Sequence, residues 1–198
     1  GKNHDQRRRN AYAQREDMIN LSHPLVLASN SPRRQQLLRE MGVEFTVQVR
    51  PTDELFPADM PASDVAGYLA QHKAEQFAHD LGDKLILCAD TVVVVDNAIL
   101  NKPADAAEAC DMLRLLSGRS HQVITGVCLL SPQGYETLSD VAHVTFKTLT
   151  DSEIEYYITH YRPFDKAGAY GVQEWIGMIG IPRIEGSFYT IMGLPLHK

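Results

Sequence analysis

With 198 residues, 44% of them hydrophobic and 22% charged, the chain is long enough for one sizeable core and has an ordinary globular composition. A net charge of −6 argues against nucleic-acid binding by broad phosphate neutralisation, but it leaves room for a local basic pocket for a small anion. No stretch is long and apolar enough for a membrane span, and Cys88, Cys110 and Cys128 form no metal or redox motif, so the chain reads as a reduced, soluble, cytoplasmic protein with core cysteines.

Residues 1–23 are polar and charged and open with Gly where a native start shows Met, so they read as a processed or truncated extension. The arginine run 7–9 within them is a solvated tail or a phosphate patch. Residues 24–198 read as one domain. Leu25 to Ala28 form a short strand, and a helix follows to Met41 with Ser31 as N-cap, Pro32 at its first position and Gly42 ending it. Such a junction aims backbone N–H groups at one point, with Ser29 and Ser31 adding hydroxyls. Arg33 and Arg34 in its first turn oppose the helix dipole, so they are either solvated or gathered around an anion.

A strand at residues 45–49 leads into a Pro-rich loop with Asp53 and Glu54, which is an acidic surface loop or a source of a metal carboxylate. The next helix is expected from a Ser63 cap through Asp80, with an apolar stripe of Val65, Leu69, Phe77 and Leu81. Lys73 occupies the gap in that stripe and either snorkels outwards or meets an anion in a cleft. Residues 85–95 then read as a buried strand interrupted by Asp90 and Thr91. An unpartnered carboxylate there costs several kcal/mol, so Asp90 caps a strand end, faces solvent, joins an ion pair or serves chemistry. A tight turn at Asp96 and Asn97 returns the chain through Ile99 and Leu100, which brings Lys102 near the level of Asp90. Capping boxes at Asp105/Glu108 and Thr150/Glu153 start two further helices around strands at 121–130 and 135–149. The last stretch is Gly-rich, as expected of close backbone approaches and ligand loops.

No HExxH, GxSxG, GxxxxGKS or GxGxxG motif occurs. What stands out is a set of cations (Arg33, Arg34, Lys73, Lys102, Lys166) with carboxylates in loops or inside a strand (Glu54, Asp90, Asp165). That mixture suits metal-assisted chemistry on a phosphate chain.

The blocks LASNSPRRQQLLREMG, HKA, ADTVV, NKP, HQVITGV and DKAGAYGVQ, in that order, resemble the signature blocks of the Maf family of nucleoside triphosphate pyrophosphatases over roughly residues 25–196. The resemblance implies an α/β fold of the ITPase-like (Maf-like) kind, an elongated mixed sheet with two lobes flanking a central cleft. It also implies hydrolysis between the alpha and beta phosphates with a divalent cation, Mg²⁺ or Mn²⁺, and it leaves a homodimer open. ADT and GVQ look like the dTTP/UTP branch, whereas a sister branch acting on 7-methyl-GTP carries Gln after the Asp and an acidic residue at the place of Gln173. In this branch Asp90 corresponds to the proton acceptor, and Arg33, Thr91 and Gln173 correspond to substrate-selecting positions. A Gln amide complements the O4 and N3–H edge of uracil or thymine, which a carboxylate, only an acceptor, does not. By the same matching, Ser29, Lys73 and Lys102 look like phosphate contacts, and Glu54, with Asp90, like the metal carboxylates. The alternatives are a pyrophosphatase for other or modified nucleotides and a non-enzymatic nucleotide-binding regulator of cell division.

Overall fold

The computed structural model describes Leu21 and residues 23–198, so most of the N-terminal extension, including its arginine run, lies outside the described residues. Seven strands among the described residues form one mixed sheet: β1 (Leu25–Leu27), β2 (Thr46–Val47), β3 (Leu85–Val95), β4 (Ala98–Leu100), β5 (Ser120–Ser131), β6 (Gly134–Thr145) and β7 (Arg183–Glu185). The order is β2-β1-β3-β5-β6-β7, with β4 paired to β3; β1 runs parallel to β2 and β3, and all other pairs are antiparallel. The helices are α1 (Pro32–Glu40), α2 (Ala62–Glu75), α3 (Ala106–Leu116), α4 (Asp151–Tyr161), α5 (Trp175–Gly180) and α6 (Phe188–Met192). The mixed α/β sheet expected from the sequence is present.

Where local chemistry is strong, the elements fall as expected. Ser31 caps α1 by accepting from Arg34 N, and Thr150 and Glu153 complete a reciprocal capping box on α4. Asp96 and Asn97 both take positive φ, 51° and 62°, which matches the turn to the right-handed twist of the β3–β4 hairpin. Three boundaries differ. Helix α2 starts one residue after Pro61, without a side-chain cap from Ser63, and ends at Glu75 before a separate 3-10 turn at Ala78–Asp80. The strand expected over 45–49 shrinks to Thr46–Val47, whose side chains are exposed. Strand β6 stops at Thr145 rather than at 149, because Phe146 and Leu149 turn into the core beneath α3 and α4.

The central strand β3 is covered on both faces. Ile86 and Cys88, then Val92 and Val94, pack with residues of α2, while Leu85, Leu87 and Ala89 pack with Leu37 and Leu38 of α1. Asp90 belongs by alternation to the α2 face and Thr91 to the opposite one. Cys88 and Cys128 are buried and opposite each other in the β3–β5 register, both thiols are free, and burial pushes the Cys88 thiol up to about 12. As expected, these two are core residues; Cys110 is half-buried.

One contact sets how closely α2 approaches this sheet. A Cβ on Gly126, the cross-strand partner of Asp90, would lie 2.3 Å from Ala66 C and 2.3 Å from Gly67 N of α2. Both are backbone atoms that cannot rotate away. Gly126→Ala therefore has to push α2 off the sheet, and overpacking of this kind costs about 3 kcal/mol. Denaturant unfolding should show the midpoint falling accordingly; an unchanged midpoint would mean that α2 yields without cost.

Candidate active site

The edge of β3 that faces away from β5 is paired with β1 at residues 85–87 and with β4 at residues 93–95. Between them, residues 88–92 have no strand partner on that side among the described residues, and the sheet is notched. Ala28 N donates to Leu87 O across the β1 edge. Strand alternation therefore turns the backbone groups of Ala89 and Thr91 towards the same open edge. A cavity of about 460 Å³ occupies the notch. Because it lies at an edge, it collects side chains from both faces of the sheet, so Asp90 and Thr91 both line it.

Ser29, Arg33, Glu54, Lys73 and Lys102 line the same cavity, so seven of the eight site residues named from the sequence come together there. The eighth, Gln173, does not line it. Gln173 sits in the turn beyond Tyr170, and its Oε1 is buried without a hydrogen-bond partner among the described residues. Lys166, another of the cations singled out, turns instead to Asp165 Oδ1 at 3.0 Å and Glu174 Oε1 at 3.4 Å.

On the α2 face, Lys73 Nζ stands 2.9 Å from Asp90 Oδ2, with side chains only 24% and 15% exposed. This is an ion pair without hydrogen-bond alignment, since Oδ2 is buried and makes no hydrogen bond. Lys73 therefore points into the cleft, and the costly strand carboxylate has its partner. In the neighbouring loop Asp53 turns inwards on itself, accepting from Leu55 N and lying 3.6 Å from His72 Nε2, which leaves Glu54 as the loop carboxylate that lines the cleft.

At the α1 end, Ser29 Oγ accepts from Ser31 N, so its own O–H is directed elsewhere. The capping bonds already occupy the N–H groups of Ser31 and Arg34, and the helix start offers an anion fewer backbone donors than its sequence suggests. Positive charge comes instead from the two arginines. Burial pushes the Arg33 guanidinium below its usual range against the pull of Asp165 and Glu174, and pushes Arg34 down against the pull of Asp90. Both guanidiniums are thus held among carboxylates in a low-dielectric cleft, where a phosphate oxygen meets a stronger field than in water.

Arg34, counted among the cations of the sequence but given no role of its own beside Arg33, also lines the cleft. It donates from Nη2 to Thr91 Oγ1 at 2.9 Å and from Nε to Gly193 O at 2.7 Å. Its position in the SPRR block carried the signal, but nothing in the sequence separates the roles of two adjacent arginines. Arg50 also lines the cleft, but Asp80 already binds it at 2.6 and 2.5 Å and its guanidinium stacks on Phe77.

The donor set bears on the implied divalent cation. Among the described residues no cluster of three or more His, Cys, Asp or Glu side chains could hold a metal. Three carboxylates line the cleft; Asp165 is paired with Lys166, and the other two, Glu54 and Asp90, are nevertheless the number that Mg²⁺ takes when it stays partly hydrated and shares phosphate oxygens with a substrate, so the residues present fit such an ion.

The cleft wall at Tyr170 is held from behind. His121 Nε2 lies 2.6 Å from Tyr170 Oη, its ring stacks on Phe146, and burial pushes its pKa down to about 4. The unfolded chain takes up a proton near pH 6.5 that the folded chain resists until about pH 4, so stability is lost as pH falls through that window. Between pH 7 and pH 5 this group alone lowers stability by about 2 kcal/mol. Urea unfolding at the two pH values should show a smaller loss for His121→Phe than for the parent chain; equal losses would remove His121 as the cause.

Comparison with known proteins agrees with the family resemblance of these sequence blocks. A family described as Maf-like protein matches residues 24–198. A protein of Bacteroides thetaiotaomicron named dTTP/UTP pyrophosphatase is 46% identical over 178 residues, covering 89% of this chain and 92% of the relative. A Porphyromonas gingivalis protein of the same name is 49% identical over 179 residues, covering 88% and 90%. A crystal structure of a nucleoside-triphosphatase / dITP/XTP pyrophosphatase from Mycobacterium abscessus is more distant, with a TM-score of 0.42 and 18% identity over 62% of this chain and 74% of that one.

Proposed function

The chain belongs to the Maf-like family, and from that premise we propose that it hydrolyses dTTP and UTP to the nucleoside monophosphate and pyrophosphate. The observation that carries the reading is the notch itself, where the strand carboxylate Asp90 stands among Arg33, Arg34, Lys73 and Lys102 in a cavity of nucleotide size. Relatives of nearly the full length bear the name dTTP/UTP pyrophosphatase and support it.

In this reading the arginines and Lys102 bind the triphosphate oxygens, and Ser29 donates its hydroxyl to one of them. Lys73 holds Asp90 Oδ2, so Oδ1 is the oxygen that accepts a proton from water. The water oxygen bonds to the alpha phosphorus as the bond to the bridging oxygen breaks, and pyrophosphate departs with the electron pair. Glu54, with Asp90, would hold a bound Mg²⁺ or Mn²⁺, which supplies further neutralisation of the phosphate oxygens.

Gln173 selects the base in this proposal. Its unpaired Oε1 suits the N3–H of uracil or thymine, and its amide N–H suits O4. The turn that carries it must move towards the cleft for this contact.

Incubation with Mg²⁺ or Mn²⁺ and a panel of nucleoside triphosphates, with product identification, tests the activity. dTTP and UTP should yield the monophosphate and pyrophosphate; release of orthophosphate, or no turnover of any nucleotide, would sink the reading. Asp90→Asn should lower turnover by about 100-fold or more while the fold is kept, as expected for loss of a general base. Near-normal rates would remove Asp90 from that role.

Gln173→Glu should lower dTTP and UTP use by about tenfold relative to purine nucleotides, the effect of replacing a matched donor by a second acceptor. Unchanged relative rates across the panel would take Gln173 out of the base pocket.

A further inference from the structure

Thr91, Thr125 and Asp140 are cross-strand partners in one row, on β3, β5 and β6. Along each strand the same-face neighbours of the row are apolar, among them Ala89 and Val93, Val123 and Val127, and Ala142, and Thr125 is fully buried. Its side chains reach α6, the short helix beside the cleft. Thr125 Oγ1 lies 2.7 Å from Thr190 O, and Thr190 Oγ1 lies 2.5 Å from Asp140 Oδ2. Lys198 Nζ closes the outer end, 3.1 Å from Asp140 Oδ1.

The direction of every proton in this row is determined. A carbonyl only accepts, so the single hydroxyl proton of Thr125 goes to Thr190 O. The 2.8 Å contact between Thr91 Oγ1 and Thr125 Oγ1 must then use the proton of Thr91. Thr91 Oγ1 in turn accepts from Arg34 Nη2. Protons therefore point one way, from Arg34 through Thr91 and Thr125 to the backbone of α6. Thr91 has no proton left for a nucleotide and can only accept.

The second anchor of Arg34 ends on the same helix, because Gly193, which accepts from Nε, is its C-terminal cap at φ 113°. The Gly193 anchor thus depends on where α6 sits, the Thr91 hydroxyl is oriented through Thr125 towards the same helix, and α6 is gripped through Thr190, by its carbonyl from Thr125 and by its hydroxyl from Asp140. We infer that Thr125 is a positioning residue which, through Thr91 and α6, aims Arg34 at the phosphate groups of the substrate. This rests on the reading of the cleft as a triphosphate site. It assigns Thr91 an indirect part, holding the arginine rather than donating to the substrate.

The test is Thr125→Val, which keeps the shape and removes the hydroxyl, beside Thr125→Ser, which restores it. kcat and KM are measured for dTTP, UTP and a purine nucleotide, and binding of inorganic tripolyphosphate is measured by calorimetry, which needs no turnover. Thr125→Val should raise KM and weaken tripolyphosphate binding about tenfold, equally for all nucleotides and with a smaller change in kcat; Thr125→Ser should recover most of it. Asp140→Asn, at the solvent end of the row, serves if the valine variant does not fold, and should shift KM in the same direction by less. Values within twofold of the parent for Thr125→Val, or for Asp140→Asn in its place, would overturn the assignment, as would a folded serine variant without recovery. If the parent chain turns over no nucleotide but binds tripolyphosphate in a Thr125-dependent way, the function fails and the positioning stands.

Discussion

The rest of the site depends on five residues of β3 having a strand neighbour on one side only. A parallel partner, β1, covers the start of that edge and an antiparallel one, β4, covers its end, and the two never meet. Backbone hydrogen-bonding groups left without a ladder need another partner, and a gap at the centre of a sheet is a natural place for a polar ligand. The notch also explains why consecutive residues act in one cavity although strand geometry sends them to opposite faces. Asp90 reaches it from the α2 side, where Lys73 waits, and Thr91 from the α1 side, where Arg34 waits.

Each face is then held by a different kind of contact. On the α2 side the fit is steric: Gly126 has no side chain, so the backbone at Ala66 and Gly67 lies against the sheet and brings Lys73 within 2.9 Å of the carboxylate. Small residues at Ala70 and Ala74 continue the same close approach towards Cys88 and Cys128. On the α1 side the fit is polar and directional, made of hydrogen bonds in which each hydroxyl is both donor and acceptor. A fully satisfied buried row of this kind fixes geometry more sharply than apolar packing, because sliding α6 by even a fraction of a helical turn would leave buried groups unpaired.

These two modes of support account for what could be read in advance. The buried strand with its misplaced Asp90, the lysine breaking the α2 stripe, the hairpin turn at Asp96–Asn97 and the Ser31 cap are all visible within a few residues of sequence. Their causes are local propensity and periodicity. The Thr91–Thr125–Asp140 row was not visible, because its members lie on three strands and meet only through register; Thr91 and Thr125 are 34 residues apart. Thr125 and Asp140 taken alone are ordinary mid-strand residues, and Thr91, although it stood out within its strand, gave no sign of which residues it would meet. The same limit hid the difference between Arg33 and Arg34, which share a helix turn but face different partners. It also hid the end of β6 at Thr145, where burial of Phe146 beneath α3 and α4 outweighs strand propensity.

The charge pattern of the cleft follows from the same arrangement. Several cations crowded into a partly buried space repel one another and resist desolvation, so each needs an anion near it while no phosphate is bound. The structure supplies one for most of them: Asp90 for Lys73 and Arg34, Asp165 and Glu174 for Arg33, and Asp80 for Arg50. Asp80 lies on the 3-10 turn and holds Arg50 in a bidentate grip, whereas Asp90 meets Lys73 without hydrogen-bond alignment. The pair at the notch is therefore the looser of the two, and on the proposed function it sits where the triphosphate arrives. An anion entering the cleft competes with Asp90 for the same two cations, Lys73 and Arg34, and Arg34 is the one whose direction is already fixed by Thr91 and Gly193. Of the two, the arginine is therefore the one aimed at an arriving phosphate, while Lys73 keeps its place beside the carboxylate.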